Sequence, residues 1–124
     1  MQNEIIYSLK PEFIKLIINK QKNHEFRNVK PKTWPTRIWF YVTSPECKLM
    51  YIAEVGEVIA QPDQILIEGI GNFEFNEGFK FANFAYPIKH LYQIKKPIEL
   101  KELKQKAQKT QFNLYGRRLL QWFW

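Results

Sequence analysis

The chain has 124 residues, 45% hydrophobic and 25% charged, with 19 Lys and Arg against 12 Asp and Glu and a formal net charge of +7. That length fits a single domain, and the balance argues against a disordered chain, while a lone cysteine, Cys47, excludes an internal disulfide. No apolar run approaches the roughly 20 residues that span a bilayer, and MQNEIIYSLKP lacks the basic flank and long apolar core of a signal peptide, so a cytoplasmic location with no membrane partner is expected.

EIIYSL reads as a strand, and KP stops it and opens a helix with Pro11 in the first turn, where a missing N–H costs nothing. Phe13, Ile14, Ile17 and Ile18 recur at helical spacing, predicting a helix from Pro11 to about Asn19, with Asn19 closing it in a left-handed cap. KNHEFRNV is then extended, and its alternation puts Glu25 and Arg27 on one face and Lys22, His24 and Phe26 on the other. RIWFYVTSP, a nearly continuous apolar run rich in β-branched and aromatic residues, suits a central strand buried on both faces. KLMYIAEVGEVI is another strand, bent at Gly56, and QPDQILIEGIG is expected to be a short helix capped by Asp63 and stopped at Gly69 or Gly71. A last strand is placed at Ala85 to Ile94, followed by a loop and a further short helix in KPIELKELKQKAQ. Strands outnumber helices without a regular β-α-β alternation. The predicted class is therefore α+β, a single domain over residues 1–124 in which a mixed sheet of about five to six strands curls into a barrel with two to three short helices at its rim.

Charge is distributed unevenly. Residues 1–44 carry 8 Lys and Arg against 3 Asp and Glu, residues 45–88 carry 2 against 7, and residues 89–124 carry 9 against 2. Basic ends around an acidic middle are a footprint for a polyanion such as RNA, if the fold gathers the ends, and otherwise a solvated surface. The usual catalytic signatures are missing. His24 and His90 stand outside any H-E-x-x-H or cysteine pair, no G-x-x-x-x-G-K-[ST] or G-x-G-x-x-G cradles a phosphate, and no metal or cofactor is expected.

What remains is KNHEFR. At the mouth of the sheet, Lys22 and Arg27, with Lys10 at the preceding turn, can hold a phosphate or a base carbonyl, while Glu25 can accept from an exocyclic amine or hold the two cations in place. An ion pair that merely closes the barrel end is the structural alternative. Trp34, in a Pro-flanked loop between Lys32 and Arg37, is either a stacking platform for a base or a loop anchor.

SLKPEFIKLIINKQKNHEFR, followed by RIWFYVTSP, YIAEVGEV and YPIKHLYQIKKPIEL, resembles the ASCH domain of the PUA-like superfamily over about Ile5 to Leu120. The family's strand, S-I-K-P, G-x-K-x-x-E-x-R and Y-A-T-S-P-like segments fall on Lys10 and Pro11, on Lys22, Glu25 and Arg27, and on Tyr41, Thr43, Ser44 and Pro45, with Glu54 following. Lys20 stands where the family motif opens with glycine, and Ala53 where glycine precedes the glutamate. The resemblance implies a β-barrel of five or six strands with a cleft beside the first helix, a fold that binds RNA or a nucleotide. Together with the basic ends and the loop aromatic, it makes Lys10, Lys22, Glu25, Arg27, Trp34, Tyr41, Ser44, Arg117 and Arg118 the expected binding residues of a basic cleft. The alternative it implies is an amidohydrolase that deacetylates N4-acetylcytidine or a similar N-acylated nucleoside, through Lys22, Glu25 and Glu54. In those enzymes a threonine stands where this chain has Glu25, so the catalytic set is not reproduced. The aromatic tail, with Trp122 and Trp124, covers an apolar rim or docks a protein partner.

Overall fold

The computed structural model describes residues 3–79, 82–99 and 101–102, together with the backbone of 120–122. β1 (Glu4–Leu9) runs into α1 (Pro11–Ile18), and β2 (His24–Arg27), β3 (Arg37–Val42), β4 (Lys48–Val55), β5 (Ile59–Ala60), α2 (Asn72–Glu77), β6 (Phe84–Glu99) and β7 (Leu120–Trp122) follow. The main path through the mixed sheet is β1-β3-β4-β6-β2, with β5 and β7 added onto β6. β1 lies parallel to β3, and the other pairs are antiparallel. The sheet curls into a half-barrel, the small α+β architecture expected.

The 16-residue β6 organises the sheet. Its first four residues, from Phe84 to Pro87, pair with β2, and from Ile88 onward it pairs with β4. The register with β4 shifts between Glu54 and Val55, a bulge at the place where β6 passes from one partner to the other. β3 sits between β1 and β4, which explains why Ile38, Trp39 and Phe40 are all buried.

Strand alternation splits the core into two layers. On the inner face Ile38, Phe40, Ala53, Val55, Tyr86 and Leu91 meet Ile14 and Ile17 of α1. On the outer face Trp39, Leu49, Ile52, Ile94 and Ile98 form a second cluster. A third, smaller cluster joins Phe75 of α2 to Ile65, Ala82 and Ala85.

Four expectations are corrected. The segment from Gln61 to Gly71 is a loop, and the helix starts only at Asn72, after Gly71 at φ 89°. The loop dispenses with helical bonds because side chains satisfy its backbone: Asn76 bonds both N–H and C=O of Ile65, and Asn72 donates to Ile67 O. β4 ends at Val55 instead of bending through Gly56, and β6 runs on to Glu99 past the expected loop, because its later residues find partners in Lys48 and Leu49. Finally, Asn19 has an ordinary φ of −91°, and the left-handed residue is Lys20, at φ 66°. Lys101 and Glu102 are helical, and the rest of the helix expected there lies outside the described residues.

A lysine at positive φ carries a cost that glycine avoids. Lys20→Gly should therefore raise stability by about 0.5–1 kcal/mol, read as a higher midpoint in urea unfolding with an unchanged m-value.

Candidate binding site at the barrel seam

β1 and β2 end the sheet path and are not paired to each other. Side chains bridge them instead. Arg27 Nε donates to Glu25 Oε2 at 2.9 Å and Arg27 Nη2 lies 2.7 Å from the same oxygen, while Nη2 also donates to Ser8 O on β1 at 2.7 Å. The two residues share a face of β2, as their spacing predicts. The guanidinium lies over the Tyr7 ring at 4.1 Å, and the Tyr7 hydroxyl is 3.4 Å from that of Tyr86 on β6. Burial, then the bond to Tyr7, pushes the Tyr86 phenol well above its usual range, with Arg27 opposing, so Tyr86 stays protonated.

Lys22 completes the cluster from just before β2. Its Nζ is 3.6 Å from Glu25 Oε1 and lies over the Phe26 ring at 4.4 Å and the Phe13 ring at 5.9 Å. Lys22 is 5% and Glu25 3% exposed, whereas the Arg27 side chain is 26% exposed. Glu25 Oε1 accepts no hydrogen bond among the described residues, so its charge is balanced through Lys22 at ion-pair distance. The cluster is a buried carboxylate between two cations, and Arg27 is the member that reaches the surface.

There it lines a cavity of about 380 Å³ with Ile5, Tyr7, Asn28, Val29 and Pro31. Asn28 is held by Asn83, whose Nδ2 donates to Asn28 Oδ1 at 2.6 Å. Trp34 stands edge-on to Phe84 at 5.2 Å and to Tyr86 at 6.2 Å, with Lys30 Nζ 5.6 Å from its ring. It is an anchor on the inner core that also walls a second hollow of about 340 Å³.

The structure does not bring the remaining sequence-derived residues together with these. Lys10 is exposed at the β1–α1 junction, two residues past the Ser8 carbonyl that Arg27 holds, and Ser44 is exposed in the turn after β3. Tyr41 packs on the outer cluster. Glu54 accepts a hydrogen bond at 2.8 Å from Tyr92, which packs on that same outer cluster, whereas its neighbours Ala53 and Val55 face inward. Lys22 and Glu54 thus lie on opposite faces of the sheet. Arg117, Arg118 and Trp124 lie outside the described residues, and of Trp122 the backbone alone is described, paired with Tyr92. Tyr7, Tyr86 and Asn28 escaped the sequence reading. Tyr7 and Tyr86 are distant in the chain and meet Arg27 only through the folding of β1 and β6 around β2, whereas Asn28 adjoins Arg27 in sequence.

No family model matches the chain, and a comparison with curated proteins finds no match. Solved structures do match. A Ser-to-Ala variant of the ASCH protein of Zymomonas mobilis superposes with a TM-score of 0.64 at 25% identity, covering 98% of this chain and 88% of that one. The chain carries an ASCH domain. A Tyr-to-Phe variant of the same protein gives 0.64 at 24% identity, covering 98% and 90%, and a further ASCH structure from that organism gives 0.61 at 23%, covering 97% and 87%. In this ASCH chain the glycine-to-lysine departure at Lys20 keeps the left-handed turn, since Lys20 itself adopts the conformation.

The segment is fastened from behind by Asn23. Its Nδ2 donates to Glu68 O at 2.8 Å, which fixes the amide, and its Oδ1 accepts from Asn72 Nδ2 at 2.9 Å and lies 2.7 Å from His24 Nδ1. The imidazole must then carry its proton on Nδ1. Burial, and secondarily the charge of Lys22, holds the His24 pKa at about 4, against 6.5 for a free imidazole. Between those values the unfolded chain binds a proton that the folded chain refuses. Stability should hold above pH 6.5, fall progressively as pH drops toward 4, and take no further loss from this residue below that. Thermal unfolding across this range should show a smaller loss for His24→Asn than for the parent chain.

Proposed function

We propose that this ASCH domain binds RNA or a nucleotide-like ligand at the β1–β2 seam. One observation carries the reading: a buried carboxylate presets an arginine fork on the wall of an open cavity. Glu25 and Ser8 occupy Nε and Nη2, so Nη1 is the donor left for a phosphate or base carbonyl among the described residues. Ile5, Tyr7, Val29 and Pro31 supply apolar walls of the kind that take a base or ribose. Glu25 and Lys22, being buried, act through Arg27 as positioning residues. Lys10 and the basic C-terminal segment add long-range attraction for the phosphates. Deacetylation of N4-acetylcytidine finds no such support, because Glu54 is held by Tyr92 away from Lys22.

The test is NMR titration with nucleosides, nucleotides and short RNAs, N4-acetylcytidine included, at several salt concentrations. Shifts should centre on Tyr7, Arg27 and Asn28. Arg27→Ala should weaken binding about tenfold or more and flatten the log K against log salt slope by about 0.7. Asn28→Asp, which keeps the acceptor that Asn83 uses, should weaken binding without touching the fold. If Asn28→Asp and Arg27→Ala both bind with unchanged affinity and slope, the site assignment is wrong; free acetate from N4-acetylcytidine would restore the enzymatic reading.

A further inference from the structure

The described part of the acidic middle carries a surface that the nucleotide site does not use. Leu66 is 93% exposed, Ile67 60%, Phe73 65% and Phe79 69%. They are contiguous, since Leu66, Ile67 and Phe73 line one hollow of about 310 Å³ and the Phe73 and Phe79 rings stand 6.4 Å apart. Apolar side chains this exposed are costly to display, and a contiguous set marks a docking surface.

The backbone that displays them is tied down. Asn76 clamps Ile65 at both backbone groups, Asn72 donates to Ile67 O, Asn23 holds Glu68 O, and the Ile70 N–H donates to Gln21 O. Gly69 lies so close to Asn23 that a Cβ there would stand 2.6 Å from Asn23 Oδ1. The segment is a preformed shape, so little ordering entropy opposes binding.

Two features fix the partner's chemistry. From Leu49 to Phe79 the sequence holds six Asp and Glu and no Lys or Arg, and Glu68, Glu74 and Glu77 stand exposed around the apolar residues. The charge repels nucleic acid and anionic lipid and attracts cations. In addition, Asn72 lines the hollow at 2% exposure, and its Oδ1 accepts no hydrogen bond among the described residues. A ligand that brings a donor satisfies it.

We propose that the Ile65–Phe79 surface docks a basic amphipathic segment of a partner protein. Its apolar residues lie on Leu66, Ile67 and Phe73, its Lys or Arg side chains pair with Glu68 and Glu74, and one donor reaches Asn72.

The test uses the full chain, isotope-labelled, and two synthetic peptides with leucine at helical spacing, one filled with lysine and the other with glutamate. The Leu/Lys peptide should shift amides between Ile65 and Phe79 and leave Arg27 unmoved, and binding should weaken as salt rises. Leu66→Ser with Phe73→Ser, both at exposed positions that the fold tolerates, should lower affinity about tenfold or more. Glu68→Lys with Glu74→Lys should transfer preference to the Leu/Glu peptide. The assignment is overturned if neither peptide shifts this segment or if both bind the parent chain equally. It is likewise overturned if the chain self-associates and Leu66→Ser abolishes that, which would give the surface to a second copy.

Discussion

One ionic contact decides how this small barrel closes. β1 and β2 end the sheet path with no backbone ladder between them, and Arg27 spans the gap by donating to Glu25 on its own strand and to Ser8 on the other. The guanidinium suits the task because its planar fork satisfies two acceptors while its flat face rests on Tyr7. Removing it would leave Glu25, 3% exposed, with Lys22 alone to balance it among the described residues, and a buried carboxylate short of partners is among the more expensive defects a core can carry. The seam it bridges is also where the cavity opens, so closing the barrel and lining that cavity with a guanidinium are two results of one geometry.

The two-faced sheet explains why a cluster of polar residues in sequence does not become a cluster in space. Residues that alternate along a strand diverge to opposite layers, and here the inner layer takes Tyr7, Tyr86 and Trp34 while the outer takes Trp39, Tyr41 and Tyr92. On the outer face Trp39 Nε1 and Arg37 Nε both reach Glu4 Oε1, at 3.0 and 3.2 Å, and Tyr92 donates to Glu54. Glu54 is thus engaged in outer-face packing, the physical reason it separates from Lys22.

Asn23 links the two ends of the molecule's surface chemistry. It sits between Lys22 and His24, and its amide holds the loop of the acidic, apolar surface. The basic seam and the acidic surface therefore share one rigid connection, across which His24 keeps a neutral ring whose tautomer that amide selects.

The strand and helix content of the first half was legible in the sequence, because Pro11, the periodic isoleucines and the unbroken run of Ile38 to Val42 act through local geometry and burial alone. So was the pairing of Glu25 with Arg27, which follows from a two-residue repeat. Tertiary structure decided what depends on partners distant in the chain. Gln61 to Gly71 is a loop because Asn72 and Asn76 meet its backbone, β6 is long because β4 pairs with its far end, and Lys20 turns left-handed where Asn19 was the better local candidate. Lys22, Glu25 and Arg27 were visible as a charged cluster, but their burial, and hence which of them reaches the surface, came only from the packing of Phe13, Phe26, Tyr7 and Tyr86 around them. A sequence records charge and period; exposure is a property of neighbours.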